Sequence, residues 1–322
     1  MRAIRLHEFG PAELLSYEDV PDPVPGADQV LVTVEAAGVH LMDTVLRAGT
    51  AGGGPVPLPE LPTIPGREVA GRVEGVGPGV DAAWIGRRVV VHLGPVPGGY
   101  AEKAVAKVGS LHEIPDHLDG ATAVATIGTG RTAIGILEQA ALTSDDVVLI
   151  TAAAGGMGSL FVQYARNAGA TVVGLAGSPD KVRQIRELGA QYAIDYSDYD
   201  WAEQVKAQVA EVSVVLDGVG GESGQQAFEL LGIGGRILMF GWSGGGPVRL
   251  GTDDLMNRGL TATWAIGPKL MGRLRELETK ALAESVEGRW VPLTTTFPLA
   301  KAADAHRALE NRETVGKVVL LP

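Results

Sequence analysis

Apolar residues fall into two textures along this chain. Up to about residue 121 they come as short β-branched runs broken by Gly and Pro, such as Gln29–Glu35 (QVLVTVE), Val69–Val76 (VAGRVEGV) and Arg88–His92 (RVVVH). Runs of this kind predict strands. Gly49–Pro65 (GTAGGGPVPLPELPTIP) holds too many breakers for either regular element. It is read as a mobile loop, of the kind that often borders an active site. From Ala121 helices alternate with apolar strands. Val147–Thr151 (VVLIT) predicts a buried strand, followed by a glycine turn and a helix to about Asn167. Thr171–Leu175 (TVVGL) is the next strand, then a helix Asp180–Leu188, and Val212–Leu216 and Arg236–Phe240 (RILMF) repeat the theme. Such alternation implies right-handed βαβ units in a parallel sheet. A helix-like segment Lys269–Glu287 and a terminal strand Gly316–Leu321 return to the first texture. The predicted fold is α/β: a doubly wound parallel sheet inserted into a β-rich domain built from both chain ends.

Composition narrows the function. At 322 residues the chain is long enough for two cores. A net charge of −11 with no basic run argues against nucleic acid or an anionic membrane as partner, which leaves a small molecule. The N-terminal stretch has no apolar signal core, and no run approaches the ~20 apolar residues of a spanning helix. The cytoplasm is the expected compartment. Cysteine is absent, which removes disulfides, cysteine nucleophiles and thiolate-bound zinc.

The main chemical signal is Val147–Gly169 (VVLITAAAGGMGSLFVQYARNAG). A strand runs into an A-x-G-x-x-G spacing at Ala153, Gly155 and Gly158, and a helix begins at once. Glycine lets the backbone turn sharply and approach a pyrophosphate, and the helix N-terminus offers free N–H groups to it. The turn residues Ala154, Gly155, Gly156, Met157 and Gly158 are therefore candidate dinucleotide-binding positions. A ribose-binding acid is expected about 20 residues after the first glycine position. Leu175, Ala176, Gly177 and Ser178 stand there instead. Ser178 can donate to a phosphate and Lys181 lies in the next helix turn, which favours NADPH over NADH. Against this, Asp180 weakens the positive field, and Lys181 can simply solvate a surface helix.

The chain resembles the zinc-free quinone oxidoreductase branch of the medium-chain dehydrogenase/reductase superfamily over nearly its whole length. The resemblance is carried by AAGVHLMDTVLRAG (Ala36–Gly49), IPGREVAGRVEGVGPGV (Ile64–Val80), GGYAEKAVA (Gly98–Ala106) and AAAGGMG (Ala152–Gly158). Downstream it continues in ELGAQYAIDY (Glu187–Tyr196), LDGVGGE (Leu216–Glu222), GGRILMFG (Gly234–Gly241) and GKVVLLP (Gly316–Pro322). It implies a GroES-like catalytic domain over 1–121 and 264–322, a Rossmann domain over 122–263, and cofactor in the cleft between them. It places the 2′-phosphate at Gly177, Lys181 and Tyr196, although Ser197 stands where a basic residue often follows that tyrosine. Thr132, Phe240 and Gly241 match positions beside the nicotinamide, and Lys317 is grouped with the cofactor-binding residues. A homodimer joined edge to edge through the cofactor-domain sheets is also implied, around Arg236–Phe240 and Pro247–Leu250.

Zinc alcohol dehydrogenases share the implied fold. Their catalytic cysteine aligns with His40, and the histidine of their G-H-E motif aligns with Arg67. No metal is therefore expected. Without a Lewis acid, hydride transfer to an activated acceptor, a quinone or an α,β-unsaturated carbonyl, is the expected reaction. His40 and Thr50 replace the branch's usual asparagine and tyrosine. His40, Asp43 and Thr132 are the catalytic candidates: His40 is either a general acid or a carboxamide-bonding or packing residue, and Asp43 has a structural reading too. Arg47 faces the cofactor or solvent. Two other functions stay open: an enoyl-thioester or secondary-metabolism reductase on this scaffold, and a non-catalytic NADPH-binding protein.

Overall fold

The computed structural model describes residues 1–50, 57–95 and 97–322, so part of the expected Gly49–Pro65 loop lies outside the described residues. Contacts divide the chain into two compact units.

The first comprises Met1–Thr129, Ala281–Val286 and Thr294–Pro322. It begins with a two-stranded antiparallel ribbon, β1 (Arg2–Leu6) and β2 (Leu15–Asp19). Strand β3 (Gln29–Val39) is the spine of its main sheet. Val30, Val32 and Val34 turn inward, alternating with half-exposed or exposed neighbours, and from Ala36 to Val39 every residue is buried. Helix α1 (Leu41–Ala48) follows, closed by Gly49 in the left-handed conformation (φ 74°). Strands β4 (Glu68–Val76), β5 (Arg88–His92), β6 (Lys103–Lys107) and β7 (His112–Glu113) come next, then the long helix α2 (Gly120–Ala140).

The second unit comprises Gly130–Lys280 and Glu287–Leu293. It runs β8 (Val147–Ile150), α3 (Gly156–Asn167), β9 (Thr171–Ala176), α4 (Pro179–Glu187), β10 (Tyr192–Asp195), α5 (Trp201–Gln208), β11 (Val212–Asp217), α6 (Gly221–Glu229), β12 (Leu231–Met239), α7 (Thr252–Arg258) and β13 (Thr261–Trp264). All six strands are parallel, in the order β10-β9-β8-β11-β12-β13. The central strands are buried almost throughout, as a parallel sheet covered on both faces requires. Strand order reverses between β8 and β11, and a ligand crevice forms beyond the carboxyl ends of strands at such a switch point.

Helices α8 (Pro268–Met271) and α9 (Leu274–Val286), strand β14 (Thr294–Pro298), helix α10 (Ala302–Glu310) and strand β15 (Lys317–Leu321) complete the chain. The first unit's sheet then reads β14-β15-β3-β4-β5-β7, with β6 also on β3. The expected single helix over Lys269–Glu287 is broken at Gly272 and Arg273, where the backbone closes α8 with a tighter turn. The units also differ from the expected 121/122 and 263/264 boundaries. Residues 130–140 of α2 belong with the parallel sheet, as do residues 264–280, because β13 pairs with β12 and the segment after it stays with that sheet. Among the described residues no helix is long and apolar enough to cross a membrane.

Candidate active site

The turn between β8 and α3 in the second unit sits at the switch point. Ala152 takes a left-handed backbone (φ 47°) and its carbonyl accepts the Gly155 N–H at 2.9 Å. A non-glycine residue there is strained, and such strain collects at functional turns. A Cβ on Gly158 would overlap the Ala152 carbonyl and stand 2.7 Å from Ala153 Cα. Gly158 thus lets α3 begin directly on the strand end. Gly155 caps that helix with no side chain bonded over its first turn, so the N-terminal amides face outward with the positive end of the helix dipole. These features fit a pyrophosphate. Ala154, Gly156 and Met157 complete the turn.

Beside this turn, the Tyr196 ring packs over Gly177, where a Cβ would stand 2.9 Å from its hydroxyl. Ser178 caps α4: its Oγ accepts the Lys181 backbone N–H at 3.3 Å, leaving its own proton to donate. Asp180 pairs with Arg183 at 2.9 Å. Ser197 bonds Asp195. Phe240 turns its ring onto Gly218 and Phe161 (ring centroids 5.3 Å apart), and Gly241 packs on the Gly218 carbonyl. Thr132 lies half-buried on α2.

Asp217, within LDGVGGE, has no role assigned from the sequence. It is fully buried at the end of β11 and accepts from Thr151 Oγ1 (2.8 Å) and from the Val219 and Gly220 amides. Burial pushes its carboxyl above the usual range, and these hydrogen bonds only partly oppose that. By tying β8 to the loop after β11 it shapes the crevice. A carboxylate at a strand end before a glycine cluster is the signal that could have marked it.

In the first unit, β4 and β15 bring together a buried charge cluster. Glu68 is fully buried; its Oε2 lies 2.6 Å from His40 Nε2 and 2.8 Å from Lys317 Nζ. Burial alone would raise the Glu68 carboxyl, but His40 and Lys317 hold it well below the usual range. Two glycines make room: a Cβ on Gly128 of α2 or on Gly38 of β3 would overlap the carboxylate. Neither was singled out from sequence. His92 stands edge-on to His40, ring centroids 6.2 Å apart.

A second network adjoins it. Asp43 Oδ2 accepts the His40 backbone N–H (2.9 Å) and the Tyr100 hydroxyl (3.0 Å), and Arg67 Nε lies 3.4 Å from Oδ1. Asp43 therefore accepts two hydrogen bonds and faces the Arg67 guanidinium as an ion pair. Burial and the Asp43 charge push the Tyr100 hydroxyl well above its usual pKa. His306 Nε2 sits 3.2 Å from the same hydroxyl, and burial lowers that histidine to about 4. Arg47 does not face solvent, one of its two readings from sequence. It is 4% exposed and pairs with Glu310 on α10. Thr50 is exposed, its hydroxyl 3.4 Å from the Val45 carbonyl. A cavity of about 310 Å³ opens here, with Asp43, Arg47 and Arg67 in its wall. Among the described residues no group of three or more His, Cys, Asp or Glu side chains is arranged to hold a metal ion.

Known proteins fit this arrangement. Residues 26–116 match the family described as alcohol dehydrogenase GroES-like domain, and residues 156–283 the one described as zinc-binding dehydrogenase. The chain is 34% identical to the 2-haloacrylate reductase of a Burkholderia species, covering 98% of each protein. It is 31% identical to the quinone oxidoreductase of Sus scrofa, over 100% of this chain and 98% of that protein. The structure of Escherichia coli quinone oxidoreductase complexed with NADPH superposes with a TM-score of 0.86 at 28% identity, over 100% of both chains. That of the Thermus thermophilus quinone oxidoreductase gives 0.81 at 31%, again over the full length of both. With a GroES-like unit, a Rossmann parallel sheet and relatives matched end to end, the chain belongs to the quinone oxidoreductase branch of the medium-chain dehydrogenase/reductase superfamily, a family of oxidoreductase enzymes.

Proposed function

We propose that the protein is an NADPH-dependent reductase that passes hydride to a quinone or an α,β-unsaturated carbonyl compound without zinc. The observation that carries this reading is the β8–α3 turn, where Gly155 and Gly158 leave backbone amides open for a pyrophosphate at the sheet's switch point. Gly177, Ser178, Lys181 and Tyr196 would hold the 2′-phosphate, since no acid stands at the end of β9 to take a ribose hydroxyl. When bound, NADPH supplies the hydride. Thr132, Phe240 and Gly241 remain the candidates for residues near its nicotinamide.

Zinc independence is supported by the donors themselves. Arg67 is no zinc ligand, and Glu68 already balances His40 and the Lys317 ammonium. The Glu68 contact engages His40 Nε2 and leaves Nδ1 to hand a proton to the reduced acceptor. Asp43 orients His40 through its backbone N–H, and Lys317 acts through Glu68. A homodimer is part of the proposal, but Arg236–Met239 lies on β12, paired on both sides with β11 and β13, so the edge is not there as expected; it is β13, which carries Trp264, 44% exposed and packed on Trp242 with ring centroids 5.0 Å apart.

Equilibrium titration with NADPH and NADH, then acceptor screening with quinones, enones and enoyl thioesters, tests the reading. NADPH should bind at least about tenfold tighter, and Lys181→Ala should cost NADPH about tenfold while sparing NADH, the scale of a charge-assisted hydrogen bond. Equal loss for both nucleotides removes Lys181 from the phosphate site. Protein treated with a chelator should keep full turnover, and a metal requirement refutes the zinc-free assignment.

A further inference from the structure

Three charged groups of the first unit meet at one atom. Glu68 Oε2, on β4, lies 2.6 Å from Nε2 of His40, the residue that caps α1, and 2.8 Å from Nζ of Lys317 on β15. Both contacts are ion pairs rather than aligned hydrogen bonds, since His40 Nε2 and the two carboxylate oxygens have no hydrogen-bond partner among the described residues. The groups therefore act on one another through charge. Their burial is graded: the Glu68 side chain is 0% exposed, that of Lys317 5% and that of His40 21%, so the imidazole is the end that reaches outward. Gly38 makes room for the whole pair, because a Cβ there would overlap Oε2 and stand 3.0 Å from Lys317 Cε.

A protonated His40 facing Glu68 alone would be a closed pair. Giving up the proton would strand a buried carboxylate without a counter-ion, which burial strongly disfavours. With Lys317 on the same oxygen, the carboxylate stays paired whether the ring is charged or neutral. We propose, resting on the reductase reading above, that Lys317 is the standing counter-ion of Glu68 that frees His40 to release its proton to the acceptor. Lys317 is thereby a positioning residue for the proton step and not a ligand of the cofactor. In that step the Nδ1–H bond breaks and the proton passes to the acceptor, which has taken up the hydride's electron pair. The ring is left neutral, its remaining proton on Nε2 toward Glu68, and water returns the missing one. Burial works against the Glu68 charge, yet His40 and Lys317 hold that carboxyl well below the usual range, as a permanent anion requires. The other groups around the ring are Asp43, which accepts its backbone N–H, Arg67 and Tyr100, which face Asp43, and His92 of β5, which stands edge-on. Asp43 and Arg67 offset each other in sign, so Lys317 sets the balance at Glu68.

The test follows the ring itself. Protein carrying isotope-labelled histidine is titrated by NMR without nucleotide, the His40 signal being the one lost in His40→Asn. Lys317→Met leaves Glu68 to hold the ring's proton alone, so the titration midpoint should rise by at least about one pH unit, the scale of removing one nearby, poorly screened charge. Lys317→Gln, which can still donate a hydrogen bond to Glu68, should do the same if the methionine variant does not fold, and Lys317→Arg should restore the original midpoint. The alkaline limit of acceptor turnover should move up with the midpoint, while NADPH affinity stays the same. An unmoved midpoint in a neutral variant overturns the proposal, as does a loss of NADPH affinity, which would return Lys317 to the cofactor. A raised midpoint in a protein that oxidises NADPH with no acceptor would instead overturn the reductase reading and leave this charge relation standing. Sound turnover with an unmoved midpoint would do the reverse.

Discussion

A single methyl group at residue 158 would touch three separate properties. Gly158→Ala places a Cβ against backbone atoms of Ala152 and Ala153, which cannot swing aside as a side chain would. The turn must open, and α3 must lift from the strand. Loss of about 1–3 kcal/mol in urea unfolding is expected, the usual cost of overpacking, together with at least a tenfold loss of NADPH affinity. Unchanged nucleotide binding by a stably folded G158A protein would remove this turn from the cofactor site. The glycine spacing made this residue legible in the sequence because it is a local requirement. Gly128 and Gly38 were not legible, since each is needed only where Glu68, distant along the chain, comes to rest against it. The solvent-facing reading of Arg47 failed for the same reason: its partner Glu310 lies 263 residues away.

At the scale of elements, legibility followed burial. Strands β5, β8, β9 and β11 were readable because their residues are apolar runs in a covered sheet or a regular core face. Strand β14 (TTTFP) was not, because it lies exposed on alternate residues at a sheet edge and carries little apolar signal. The opposite case is β13, an edge strand of the parallel sheet whose Trp264 remains accessible. Edge strands pair readily unless charge or coverage blocks them. Under the proposed homodimer, Trp264→Glu should shift the protein from dimer to monomer in sedimentation without changing its far-ultraviolet dichroism. A monomeric unaltered protein, or a variant that stays dimeric, would place the contact elsewhere or remove it.

For the whole molecule, acid stability is governed in part by the buried network linking α1, α10 and the turn at Tyr100. The Tyr100 proton goes to Asp43, so the hydroxyl oxygen accepts from a neutral His306 with its proton on Nε2. Burial depresses His306 to about 4, against the 6.5 of an exposed histidine. The unfolded chain therefore binds the proton first as pH falls, and folding stability declines from about pH 6.5 down to about pH 4, then levels for this group. Between pH 7 and pH 5 the loss from this residue should be roughly 2 kcal/mol in urea titrations. His306→Gln should flatten that part of the profile, and an unchanged slope would show that other groups set it. None of this was legible from the sequence, where His306 is one of six histidines without a motif.

The arrangement around Glu68 has one more consequence under the proposed reading. Quinones and enones are electrophiles that arylate or alkylate thiols and amines. This chain offers them no thiol, and the one lysine in its charge cluster, Lys317, is 5% exposed and clamped in an ion pair. A catalyst so built can turn over reactive acceptors at length without being consumed by covalent attack at that centre.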